Sequence, residues 1–128
     1  MQSRLKRSGG FTFIEMVVVI MIMGILLSIA LPQYKVAIIQ SREAVLKEDL
    51  FRFRDAIDQY QSDTGHYPTS LDAMVSEGYL RSIPPDPLSG APDWKEIAAE
   101  IDPENPQQAP GIQDVKSNSS GTSLSGTP

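Results

Sequence analysis

Gly9-Gly10-Phe11-Thr12-Phe13-Ile14-Glu15 runs directly into the apolar stretch Met16 to Leu31, and a polar leader holding Arg4, Lys6 and Arg7 precedes it. Phe11 to Leu31 is 21 residues. As a helix this would rise about 32 Å, against a hydrocarbon thickness of roughly 30 Å. Glu15 is the one carboxylate near the start of this otherwise uncharged segment. An acidic side chain deep in lipid costs about 2.5–3.5 kcal/mol. Glu15 therefore either snorkels to the interface, only four residues from Phe11, or meets a partner on another chain. Position alone leaves both open.

The run Gly10-Phe11-Thr12-Phe13-Ile14-Glu15 behind a short basic leader resembles the class III signal of type IV pilin-like proteins. The resemblance implies that a membrane-embedded prepilin peptidase cleaves between Gly10 and Phe11 and methylates the new amino terminus, giving N-methyl-Phe11. It also implies that Glu15 is the family's assembly glutamate. A generic signal peptide explains less. It needs a small-residue cleavage site after the apolar run, where Leu31-Pro32-Gln33-Tyr34 stands instead.

The chain of 128 residues allows one small domain beside its membrane element. Its formal net charge is -5. Without Arg4, Lys6 and Arg7 the balance is 8 basic against 16 acidic residues, or -8. Such an acidic remainder argues against a nucleic-acid surface, which needs a clustered basic face. There is no cysteine, so neither disulfides nor thiol chemistry contribute. The basic leader and the positive-inside rule predict a cytoplasmic amino terminus, with the chain after Leu31 on the outer face of the inner membrane.

Gly24 and Pro32 are the helix-weakening positions of the span. Pro32 lacks an amide hydrogen and crowds the preceding turn, so a kink or local opening is expected there. Termination is not, because the helical pattern resumes at once. By resemblance, the segment from Gly24 to Pro32 is one that loses helicity when subunits pack. From Gln33 to about Ser62, Ile39, Leu46, Leu50, Phe53, Ile57 and Tyr60 form one apolar stripe of an amphipathic helix. Glu43, Lys47, Asp49, Arg54 and Asp58 are expected on other faces, with Glu43 and Lys47 a favourable i,i+4 pair. Lys47, Arg52 and Arg54 read as a solvated face. Gly65 suits a left-handed cap.

His66, the only histidine, reads as a turn residue. Thr69 as cap and Gly78 as stop predict a short helix from Ser70 to Glu77, with Leu71, Met74 and Val75 towards the stalk. Two strands are predicted, Asp93 to Ala98 and Gly111 to Val115, antiparallel and joined by the loop Ile101 to Pro110. Trp94 should cover Leu50 or Phe53, with Ile97 also inward. The tail Ser117 to Pro128 is rich in serine, glycine and threonine, a composition compatible with disorder.

The passage Gly78-Tyr79-Leu80…Pro85-Asp86-Pro87 is similar to that of type II secretion major pseudopilins, which often carry a calcium loop near the carboxyl terminus. Here Ser119, Ser120, Ser123 and Ser125 occupy that region, with no acid after Asp114. Calcium prefers several hard oxygen ligands including carboxylates, so no metal ligands are assigned and the expectation is no cofactor, with calcium the lesser alternative. No nucleophile-base-acid set, metal-ligand spacing or phosphate loop is present, which argues against an enzyme.

The expectation is an α+β, pilin-like fold. Residues 1–10 are a removable leader, 11–32 the transmembrane and polymerisation half of a long helix, and 33–64 its amphipathic stalk. Residues 65–116 form a small periplasmic head and 117–128 the tail. The resemblance implies a homopolymer working with a prepilin peptidase, an inner-membrane assembly platform and minor pseudopilins, membrane-bound before assembly. A type IV pilin for adhesion, motility or DNA uptake is the alternative. A single-span sensor or anchored enzyme is a third reading.

Overall fold

The computed structural model describes residues 9–101, 103–107 and 109–124. Arg4, Lys6 and Arg7 of the leader and Ser125 to Pro128 of the tail lie outside the described residues. The chain divides into two compact units, Met1–Ile38 and Ile39–Pro128. Its elements are α1 (Phe13–Thr64), α2 (Leu71–Ser76), β1 (Lys95–Ala98) and β2 (Ile112–Lys116), the α+β arrangement expected.

In the first unit α1 is the apolar run itself. All its residues from Phe13 to Leu31 are exposed, and α1 is the one described helix long and apolar enough to cross a membrane. The helix continues through Gly24 and Pro32 without interruption. Pro32 cannot donate to the Ser28 carbonyl one turn back. Nearby, the Ser28 hydroxyl donates to the Ile25 carbonyl at 2.6 Å.

The second unit is built on the rest of the stripe. Phe53, Ile57 and Tyr60 are buried, Leu46 and Leu50 are half-buried, and Ile39 is exposed. Cover therefore begins about two turns after the unit does. The core joins Phe53, Ala56 and Ile57 of α1 to Leu71 and Met74 of α2, Trp94, and Ile112 and Val115 of β2. Trp94 meets Phe53 edge-on, with ring centroids 4.9 Å apart. Its indole N–H donates to the Pro84 carbonyl at 2.7 Å, which satisfies the polar end of a buried ring.

Gly65 ends α1 at φ 78° and Gly78 follows α2 at φ 86°. After α2 the Tyr79 amide donates to the Met74 carbonyl (2.9 Å) and the Gly78 amide to that of Val75 (3.2 Å), a Schellman closure. The start of α2 differs from expectation by one residue: Ser70, not Thr69, is the cap, accepting from the Ala73 amide. A carboxylate from β1 reinforces it, Glu96 Oε1 accepting the Leu71 amide at 3.1 Å.

The strands pair antiparallel but start later than predicted, at Lys95 and Ile112, and β2 runs on to Lys116. The register slips between Ile97 and Ala98, which pair with Asp114 and Ile112 respectively. Gln113 is thus an extra residue, and the bulge brings Ile112 and Val115 onto the same buried face despite their odd spacing. Arg54 is not merely solvated. Its Nε donates to Asp114 Oδ1 at 2.8 Å and ties α1 to β2.

A Cβ on Gly111 would sit 2.5 Å from the Tyr67 Cβ and 2.6 Å from the Tyr67 carbonyl oxygen, whereas one on Gly24 meets nothing within 4 Å. The Ile112 amide also bonds the Pro68 carbonyl at 2.7 Å beside this contact. Gly111→Ala should therefore destabilise the head by about 2 kcal/mol. Gly24→Ala should leave its melting temperature unchanged, both measured by thermal unfolding in detergent.

Candidate functional site

The amino-terminal site is set by where α1 begins. Gly9 to Thr12 are exposed and outside regular structure, and the helix starts at Phe13 rather than at Phe11. The Thr12 amide donates to Glu15 Oε2 at 3.0 Å, and the Glu15 amide donates to Thr12 Oγ1 at 3.3 Å. This reciprocal pair is a capping box, satisfying two of the amides that a helix start leaves without partners. Glu15 is therefore not without a partner in its own segment, contrary to the sequence reading. Its partner is main chain rather than charge. The signal was legible as Thr12-Phe13-Ile14-Glu15, the threonine-x-x-glutamate spacing of such a box. Negative charge at N3 also suits the helix dipole. The box halts the helix two residues after the Gly10-Phe11 bond, which stays in open, exposed backbone.

Phe11 and Glu15 lie together with Ile14, Val18 and Val19 around one shallow apolar surface. Gly24 and Pro32 are further along α1 and not part of this site. Glu15 uses Oε2 for the cap, which leaves Oε1 to accept from elsewhere.

A second polar feature, missed in the sequence, lies in the head. Asp86 is completely buried and Asp49 is 8% exposed, so Asp49 does not occupy a solvated face. Asp86 Oδ1 accepts the Leu88 amide at 2.8 Å, an Asx turn within the proline-rich passage. Its Oδ2 accepts the Ser117 hydroxyl. Asp93 accepts the Ser89 hydroxyl and the Asn118 amide, and these bonds hold its carboxyl below the usual range. Glu43 accepts the Leu124 amide at 2.6 Å; the helix-surface ion pair among the described residues is Glu48–Arg52, not Glu43–Lys47. The described tail is therefore tied down at Ser117, Asn118 and Leu124.

These contacts also test the calcium loop. The tail presents hydroxyl and amide donors to carboxylates, and no three acidic, histidine or cysteine side chains converge among the described residues. A hard cation needs converging oxygen lone pairs. The residues do not fit a calcium ion.

Residues 5–31 match the family described as the prokaryotic N-terminal methylation motif. Named relatives match over a longer stretch of the chain. Type II secretion system core protein G of Pseudomonas aeruginosa is 33% identical over 98 residues, covering 64% of this chain and 69% of that protein. The protein of the same name from Aeromonas hydrophila is 33% identical, covering 64% and 68%. That of Klebsiella michiganensis is 31% identical over 103 residues, covering 68% and 72%. No solved structure matches the chain. The chain belongs to the type II secretion system core protein G family, the major pseudopilins.

Burial pushes the Asp49 carboxyl above its ordinary value; Arg52 opposes the rise, and the Glu48 and Asp86 carboxylates add to it. A raised carboxyl disfavours the folded state wherever it is ionised, and the penalty vanishes once it is protonated in both states. Asp49→Asn should therefore melt at higher temperature at pH 7. The gain should disappear below the unfolded value of 3.8, as followed by thermal scans across pH.

Proposed function

We propose that the chain is the major structural subunit of a periplasmic pseudopilus in a type II protein secretion system. The observation that carries this is the exposed Gly10-Phe11 bond just ahead of a capped, membrane-length apolar helix. Membership of the core protein G family supports it. The type IV pilin alternative and the sensor reading have no comparable support.

In this reading residues 1–10 are a cytoplasmic leader and 11–32 cross the inner membrane. Residues 33–64 are stalk, 65–116 a periplasmic head and 117–128 its tail. A prepilin peptidase hydrolyses the Gly10-Phe11 amide, leaving a Gly10 carboxylate on the leader and a free amine on Phe11, which is then N-methylated. Gly10 matters because a side chain there would obstruct the cut. The positive amine of Phe11 then pairs with Glu15 of an adjacent copy. Glu15 Oε1 is open to it while Oε2 still caps the helix. In low dielectric this pairing offsets the burial of both charges and sets the subunit stagger. The assembly platform and minor pseudopilins of the inner membrane extract and order the subunits. The span from Gly24 to Pro32 yields its helix on packing, where Pro32 has already removed one bond.

Gly10→Ala should leave an unprocessed precursor, and mass spectrometry finding N-methylated Phe11 in that variant would contradict the assignment. Glu15→Val should be cleaved and inserted yet form no fibres. Abundant normal fibres by electron microscopy would remove the pairing role.

A further inference from the structure

We propose that an apolar groove on the head receives the Ile101 loop of a second copy of this chain, a contact that rests on the polymer reading above. The groove, of about 280 Å³, has Ile39, Leu46, Leu50 and Leu88 on its floor and tail residues from Ser117 to Ser123 along one side. Lys47, Arg54, Lys116 and Glu43 also line it. Arg54 is engaged by Asp114 and Glu43 by the Leu124 amide. Lys47 and Lys116 form no ion pair among the described residues. The groove therefore offers an apolar floor beneath two cations.

The rest of the unit is acidic: from Ile39 onward, 15 acidic residues stand against 7 basic ones. Copies packed side by side repel unless such cations meet acids of a neighbour. The loop between the strands carries the complement. Ile101 is 61% exposed, and Glu100 beside it is exposed. An exposed apolar side chain next to an acid matches an apolar floor next to cations.

The two surfaces also lie at different levels of α1. The groove is lined by Ile39 to Arg54, while Ala99 and Glu100, at the root of the loop, share a cavity wall with Gln61, Gly65 and His66. The offset is about 25 Å along the helix. Two distinct patches joining head to tail make a heterologous contact, which extends into an open filament rather than closing as a dimer.

The chain lacks cysteine, so an engineered pair reports cleanly. Thr122→Cys and Ile101→Cys, both at exposed positions, would be combined in the full chain and expressed with its secretion machinery. Oxidation should then give a ladder of covalent oligomers on non-reducing gels, while either single variant stops at dimer. Lys47→Glu should lower the yield of sheared fibres about tenfold, and adding Glu100→Lys should restore it. Fibres without a ladder, or a charge swap that restores nothing, would overturn the contact and leave the polymer reading intact. If the unsubstituted chain forms no fibres in that host, the polymer reading fails and this contact falls with it.

Discussion

A helix start leaves its first amides without partners, and the rest of the amino-terminal site follows from how this one satisfies them. Thr12 and Glu15 exchange bonds with each other's main chain, so the helix has a defined first turn and stops short of the junction with the leader. The cap keeps Gly10-Phe11 out of the helix, as the proposed cut requires. Glutamine at position 15 would serve the cap equally well. It would not draw a positive amine. Under the proposed pairing, a carboxylate at position 15 serves both the cap and the incoming amine.

The head is organised by a different shortage. A two-stranded sheet is not independently stable, and β1 and β2 have only four and five residues. They persist because α1 supplies the surface they lack. Phe53 and Ile57 fill the space under Trp94 and Val115, Arg54 holds Asp114, and the close approach of Gly111 to Tyr67 lets β2 reach the turn after α1. The Arg54 bond and the Val115 amide draw the Asp114 carboxyl below its ordinary value although burial alone would raise it. That contribution is present above the unfolded value and lost as pH falls through the folded one.

What was readable in the residues was whatever depends on one segment at a time. The apolar length, the stop at Gly65, the burial of Trp94 and the antiparallel pair are of this kind. The burial of Asp49 depends on where the Pro84-Pro85-Asp86-Pro87 passage crosses α1, which no helical periodicity contains. The bulge at Gln113 is equally non-local, since it follows from two strands sharing one face. Thr69 and Ser70 are both competent caps, and the Glu96 carboxylate beside Leu71 favours the second. Composition left the order of the tail open because it counts side chains without their partners. Ser117 and Asn118 find carboxylates on the body.

Those carboxylates bear on how an acidic head stays closed at its carboxyl-terminal end. A metal ion would gather them by charge, with a stability that follows its concentration. Hydroxyl and amide donors satisfy the same oxygens without any cation, and the hydrogen bonds are internal to the chain. Asp86 illustrates the difference: completely buried, it has the Leu88 amide on one oxygen and the Ser117 hydroxyl on the other. Replacing Ser117 with a carboxylate would set two negative charges against each other there and require a cation between them. With serine, the closure is made by hydrogen bonds internal to the chain.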